Sequence, residues 1–263
     1  MNPQAFQELV WDKGRELYRD MPWREQPTFY YVFISEIMLQ QTQVARVIQK
    51  FTEFIDAFPT IDVLAAAPLA EVLRLWQGLG YNRRAKFMHE AAKQIVMDGQ
   101  PKDYESLLRL PGIGKNTAAA IMNYVYQVPT PFVETNIRTV YFHHFFRNQR
   151  DVSDKQLREL VQKTVDTEHP REFFWALMDY GSLLKSQGYG NIAISKHYKK
   201  QSPLSGSLRE MRGKIVRALS AGDLSKKELQ NTVQADDRFS AALHGLVADG
   251  LICIDGDIIH LTR

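Results

Sequence analysis

The chain has 263 residues, with 33 Lys and Arg against 30 Asp and Glu, enough for one large domain or two modest ones with real cores. A formal net charge of +3 fits a nucleic-acid partner and an ordinary soluble enzyme equally well. The single cysteine, Cys253, excludes an intrachain disulfide framework and a cysteine-ligated metal cluster, and no apolar run reaches membrane-spanning length. Met1 to Arg15 lacks the apolar core of a signal peptide, so a soluble, cytoplasmic protein in a reducing compartment is expected.

Apolar positions recur at helical spacing from about Pro3 to Lys185, as in Val63, Leu64, Ala66, Ala67, Leu69, Val72, Leu73, Leu75 and Trp76. Met21-Pro22, Phe58-Pro59, Gly78-Leu79-Gly80, Gly99-Gln100-Pro101 and Val128-Pro129 interrupt this pattern as short turns. The expectation is an all-α body. Within Ile34 to Val44, a helix would place Ile37, Gln41 and Val44 on one side, with Glu36 isolated in an apolar run. Burial would raise its pKa and make it a proton donor near neutral pH; a solvated Glu at a helix edge is the alternative.

Leu110-Pro111-Gly112-Ile113-Gly114-Lys115-Asn116-Thr117-Ala118 reads as a glycine hairpin between two helices. Gly112 and Gly114 allow close backbone approach, and the helix from Lys115 aims free N–H groups at an anion such as a DNA phosphate. Glycines that merely make a turn are the other reading, and whether a cation sits in the hairpin is left open. Phe132-Val133-Glu134-Thr135-Asn136 then sets a carboxylate beyond the far helix, and the pairing points to chemistry on DNA.

Ser186 to Ser207 shifts to Gly188, Gly190, Ser195, Ser202, Pro203, Ser205 and Gly206 around a basic cluster at Lys196 to Lys200, the expected linker. Leu208 to Leu219 is amphipathic, Ser225-Lys226-Lys227-Glu228 is a capping box, Asp236 to Asp249 reads as a third helix, and Leu251 to Leu261 alternates about Asp255-Gly256. Three helices and a hairpin describe a winged helix. Residues 208–263 hold eight Lys/Arg and eight Asp/Glu, and Asp236-Asp237 at the start of the third helix would face phosphates badly. A packing or protein-contact module and a direct DNA contact both remain open. The expected domains are thus 1–185, 186–207 and 208–263.

Ser35-Glu36-Ile37-Met38-Leu39-Gln40-Gln41-Thr42-Gln43-Val44, Leu75-Trp76-Gln77-Gly78-Leu79-Gly80-Tyr81 and the Leu110 to Ala118 hairpin closely resemble MutY-type adenine DNA glycosylases. These belong to the helix-hairpin-helix superfamily that includes endonuclease III, and the resemblance covers about residues 5–185. It implies a two-lobed helix-hairpin-helix DNA glycosylase body followed here by a small C-terminal winged-helix-like module. It also implies a monomer acting on double-stranded DNA with a mispaired or damaged base, most simply adenine opposite 8-oxoguanine or guanine. A mismatch thymine or uracil glycosylase, and a non-catalytic damage-binding protein, are the alternatives.

By this resemblance Glu36 is the general acid, and Glu134 falls where relatives carry an aspartate that stabilises or attacks the sugar cation. Departing a glycoside requires both roles. Glu134 is also placed to cap the following helix. Asn116 replaces the lysine through which bifunctional relatives form a Schiff base, so a monofunctional glycosylase is expected; Asn116 is left to place water, to bind the sugar or to cap its helix. Asn136 matches a residue that orients the catalytic carboxylate. Arg19, Trp23, Arg24 and Asp179 match positions near the adenine pocket, although a buried Trp23 after Pro22 is more often core than pocket. Gln41 and Tyr81 match the residues that wedge the duplex open, while Gly112, Gly114 and Lys115 hold its backbone. Relatives carry four cysteines after the segment matching Phe174 to Gly181; here Ser182 to Asn191 has none, so no iron–sulfur cluster is expected, and Lys185, Lys196, Lys199 and Lys200 are candidates for backbone charge. The C-terminal residues are too few for the Nudix-like domain that reads 8-oxoguanine in relatives.

Overall fold

A computed structural model of the chain describes residues 1–147, 149, 151–189 and 203–263. The expected linker positions Gly190, Ser195, Lys196 to Lys200 and Ser202 lie outside the described residues. The elements run α1 (Pro3–Leu17), α2 (Pro22–Glu25), α3 (Phe29–Leu39), α4 (Val44–Ala57), α5 (Ile61–Ala66), α6 (Leu69–Leu75) and α7 (Arg83–Asp98). They continue as α8 (Tyr104–Leu108), α9 (Lys115–Tyr124), α10 (Thr135–Phe145), α11 (Asp154–Thr164) and α12 (Pro170–Ser186). The C-terminal part comprises α13 (Leu208–Ala221), β1 (Leu224–Ser225), α14 (Lys226–Val233), α15 (Phe239–Ala248), β2 (Ile252–Asp255) and β3 (Ile258–Leu261).

Two compact units divide these elements. The first gathers Met1–Glu36, Lys102–Arg109 and the described part of Ile113–Lys200; the second gathers Ile37–Pro101, Leu110–Gly112 and the described part of Gln201–Arg263.

In the first unit α12 is the spine, packed by α1 on one side and α10 on another. Two small residues permit those approaches. A Cβ on Gly14 of α1 would stand 2.6 Å from the Cβ of Ala176, and one on Gly181 would stand 2.3 Å from the carbonyl oxygen of Asn136. Local capping sets the helix starts: Asn2 accepts from Ala5 N at 2.8 Å, and the Asp103–Ser106 capping box opens α8.

In the second unit α4 to α7 bury Val47, Phe51, Phe54, Leu64, Val72, Leu73, Trp76, Met88 and Ile95. The C-terminal winged helix packs onto the same body: α13 and β3 both meet α6. Its sheet has the order β1-β3-β2, antiparallel throughout, with Ile259 of β3 facing Leu224 and Ile254. Ser225 forms the expected capping box with Glu228, and Gly256 turns the hairpin at φ +62°. The two-residue β1 carries too little alternation to be read from sequence. The third helix starts later than its acidic dipeptide implies, at Phe239; Asp236 precedes it and takes Arg238 as an ion-pair partner, so its charge is compensated locally.

Candidate active site

The helix α3 is apolar almost throughout, with Val32, Phe33, Ile34, Ile37 and Met38 at most 2% exposed. Glu36 interrupts that run and is half-buried. Dense surroundings strip water from its carboxyl and raise its pKa to about 8; the nearby Glu134 carboxylate adds to the rise and Arg24 partly offsets it. Around neutral pH such a group still holds its proton.

Glu134, also half-buried, is the N-cap of α10. Its Oε1 accepts from the backbone N–H of Asn136 at 2.7 Å and of Ile137 at 3.4 Å. Burial raises its pKa overall, and these N–H groups and the Lys185 ammonium offset part of that rise. The carboxylate is therefore pinned at a helix N-terminus, where a negative charge is favoured. Capping and closeness to Glu36 coexist in one side chain, and Asn136 reaches it through the backbone.

Two asparagines of α9, seven positions and hence two turns apart, hold the strand of chain that leads to Glu134. Asn116 Nδ2 donates to Val133 O at 2.6 Å, and Asn123 Nδ2 donates to Thr130 O at 2.7 Å while its Oδ1 accepts from Thr130 N at 3.2 Å. Asn116 Oδ1 is buried with no hydrogen-bond partner among the described residues. Asn123 escaped the reading of the sequence, although its i, i+7 relation to Asn116 is visible there. Gly181 escaped too, since nothing local demands a glycine in mid-helix; its absent side chain lets α12 touch the capped end of α10.

Behind the carboxyls lies a buried ion cluster. Arg24 and Asp179, whose side chains are 3% and 1% exposed, pair through Nη1 to Oδ2 at 2.7 Å and Nη2 to Oδ1 at 3.0 Å. Arg19 adds Nε to Oδ1 at 2.7 Å, and Arg24 lies 5.2 Å from the Trp175 ring centroid and 5.5 Å from that of Tyr18. Two guanidiniums on one carboxylate leave a net positive charge, and Glu36 feels that of Arg24. Trp23 is 5% exposed and sits in the core. Tyr124, the last residue of α9, is fully buried and feels the charges of Glu36, Glu134, Arg24 and Asp179, with burial raising its phenol pKa. In the sequence it is only another core aromatic. Glu36, Glu134, Asn116, Asn136, Arg19, Trp23, Arg24 and Asp179 thus fall in one unit, with Gly114 and Lys115.

Gln41, Tyr81 and Gly112 belong to the other unit. Gln41 is not helical: α3 ends at Leu39, and Gln41 adopts φ +56° in the turn before α4. The helical spacing extrapolated across a chain reversal, marked by Thr42 N donating to Leu39 O. Tyr81 is left-handed as well, at φ +49°. A single buried side chain ties both turns together. Arg84 donates through Nη1 to Ile37 O and Met38 O at 2.8 and 3.0 Å, and through Nη2 to Leu79 O, Gly80 O and Thr42 Oγ1 at 2.8, 2.9 and 3.1 Å. Nothing local in the sequence signals that role, since every acceptor it binds comes from another turn or helix. Gly112, at φ +77°, is required twice over, since a Cβ there would stand 2.9 Å from the Cβ of Phe87. Gly112, Gly114 and Lys115 are exposed at the hairpin.

An iron–sulfur cluster does not fit this chain. Its one thiol, Cys253, lies on β2 with Sγ 3.6 Å from Thr262 Oγ1, whereas a cluster needs several thiolates.

A glycine hairpin between α8 and α9, followed by a carboxylate at the mouth of α10, defines a helix-hairpin-helix architecture, and residues 34–166 match the HhH-GPD superfamily of base excision DNA repair proteins. The adenine DNA glycosylase of Mycolicibacterium smegmatis is 33% identical over 261 residues, covering 89% of this chain and 88% of that protein. That of Mycobacterium tuberculosis (strain CDC 1551 / Oshkosh) is 31% identical, covering 91% and 88%. That of Buchnera aphidicola (subsp. Baizongia pistaciae) is 37% identical over 68% of this chain, which spans about half, 52%, of its length. The chain belongs to the HhH-GPD superfamily and, within it, to the adenine DNA glycosylase family, among the DNA N-glycosylases of base excision repair. Its fold is that of a thermostable thymine-DNA glycosylase, with TM-score 0.62, 26% identity and coverage of 69% of this chain and 86% of that one. It is also that of endonuclease III in a non-covalent DNA complex, with TM-score 0.59, 18% identity and coverage of 80% and 94%. Among the described residues no helix is long and apolar enough to cross a membrane.

Proposed function

We propose that the chain, as a monomer, removes adenine mispaired with 8-oxoguanine or guanine from duplex DNA and leaves an abasic site. The observation that carries this reading is the pair of carboxyls in one buried environment: Glu36 protonated near neutrality, Glu134 pinned on the N-terminus of α10.

Glu36 donates its proton to the adenine ring, the bond from sugar to base breaks with its electrons passing to the base, and adenine leaves neutral. Glu134, ionised, faces the oxocarbenium centre and stabilises or transiently captures it. Water then adds to the sugar carbon and gives up a proton to a carboxylate. Asn116 Oδ1, a buried acceptor without a protein partner among the described residues, is the group available to hold that water or the sugar. Since Asn116 has no amine, no Schiff base forms there and the strand stays intact. Arg19, Arg24 and Asp179 make the polar wall of the base pocket. Gln41 and Tyr81, both on left-handed turns, enter the duplex as wedges, while Gly112, Gly114 and Lys115 grip the backbone.

The test is single-turnover base release from otherwise identical duplexes holding A opposite 8-oxoguanine, A opposite G, T opposite G and U opposite G. Adenine release from the first two supports the reading. Release of thymine or uracil alone, or of no base, refutes it.

A further inference from the structure

The C-terminal winged helix reaches back to the turn that carries Tyr81. Arg209, in the first turn of α13, donates from Nη1 to the Tyr81 hydroxyl at 2.7 Å, and its guanidinium carbon lies 5.5 Å from the centroid of the same ring. Arg84 lies 5.7 Å from that centroid. Two cations therefore share one aromatic side chain, and one of them comes from the C-terminal module.

Tyr81 needs such support. A non-glycine residue at φ +49° is held against its own backbone preference, and left-handed residues persist only where their surroundings over-determine them. Below the turn the surroundings are firm: Arg84 binds the Leu79 and Gly80 carbonyls, and Trp76 Nε1 donates to Gly80 O at 3.1 Å. The ring and hydroxyl, half-exposed, are held by Arg209.

Other contacts also dock the module. Lys86 Nζ donates to Asp249 O at 2.7 Å, Arg74 Nε donates to Ser220 O at 3.2 Å, and Arg83 Nε stands 3.5 Å from Asp249 Oδ1. Gly250 leaves room for the Lys86 ammonium, since a Cβ there would come within 2.5 Å of it. Beside these contacts, Arg209 is the residue of the module that meets the Tyr81 hydroxyl.

We infer that the winged helix is a working part of the duplex-opening apparatus, with Arg209 as a positioning residue that presents the Tyr81 side chain for insertion. This rests on the reading of Tyr81 as a wedge. It resolves the role of a module whose balanced charge suits it poorly to phosphates: it acts on DNA through Tyr81.

The experiment uses the full chain and a duplex in which 2-aminopurine neighbours a non-cleavable 2′-fluoro-2′-deoxyadenosine opposite 8-oxoguanine; the fluorescence rise reports base opening. Arg209→Ala is expected to slow the rise about three- to tenfold, the loss of one charge-assisted hydrogen bond and the population it holds. Tyr81→Phe, which keeps the ring and loses the hydroxyl, slows it less, and the double variant is no slower than Arg209→Ala alone. Arg209→Lys recovers part of the rate. Arg209→Ala opening at the wild-type rate while Tyr81→Ala is slow overturns the inference and leaves the wedge intact. Multiplicative effects in the double variant also overturn it. Tyr81→Ala opening at the wild-type rate removes the wedge reading itself.

Discussion

Replacing Glu36 by Gln should make the protein more stable as it makes it inactive, and the gain should depend on pH. In the folded chain Glu36 keeps its proton up to about pH 8, whereas in an unfolded chain it ionises near the ordinary value of 4.5. Between those values the unfolded state releases a proton that the native state retains. Native stability contributed by this group therefore falls as pH rises from about 4.5 and levels off above about 8. The loss is less than about 1 kcal/mol at pH 5, about 3 kcal/mol at pH 7 and about 5 kcal/mol at pH 9, as upper values for a group with some solvent contact. Gln has nearly the same shape and never ionises. Urea unfolding of the two proteins at pH 5, 7 and 9 should show the variant gaining on the wild type by up to about 4 kcal/mol across that range. Any fixed cost of burying an amide cancels, because only the change with pH is read. Parallel pH dependences would falsify the account, since they mean that Glu36 is solvated and stores no proton. The same titration governs catalysis: wild-type adenine release should fall about tenfold per pH unit above pH 8, and Glu36→Gln should lose it throughout.

Glu134→Gln keeps an acceptor for the Asn136 and Ile137 N–H groups but removes the charge, so stability should change by no more than about 1 kcal/mol while single-turnover release falls at least about a hundredfold; equal losses of both would reduce Glu134 to a cap. Gly181→Ala forces a Cβ against the Asn136 carbonyl and should cost about 1–3 kcal/mol together with activity, read by urea unfolding and base release. A fully stable, fully active variant refutes the close packing of α12 on α10. Asp179→Asn leaves Arg24 buried without its counter-charge and should destabilise by about 3–5 kcal/mol; a neutral result in thermal and urea unfolding means that the ion cluster is hydrated.

Much of this protein was legible before its structure. Period and capping are local properties, so the helical body, the Ser225 capping box, the Asp255-Gly256 hairpin and the glycine hairpin ahead of α9 all follow from neighbouring residues. Glu36 drew notice for the same reason: a lone carboxyl in an apolar helix is unusual wherever that helix sits. Its raised pKa, however, depends on what surrounds it, and no spacing rule brings Glu134, 98 positions away in the sequence, into its field.

The misses share one cause. Periodicity places Gln41 on a helix because it does not announce the reversal that a buried Arg84 enforces through carbonyls at Met38 and Gly80. Asn123, Tyr124, Gly181 and Arg209 looked ordinary because their importance lies in partners on other elements. By itself the sequence determined that the body is helical, where a capping box such as that of Ser225 opens a helix, and which residue types were available for acid catalysis and phosphate contact, since these are set by local sterics and hydrogen bonding. Only the tertiary structure decided which groups share a charge environment, which glycines are contact points and what the C-terminal module touches. Desolvation, ion pairing and close approach are properties of residues brought together from distant parts of the chain.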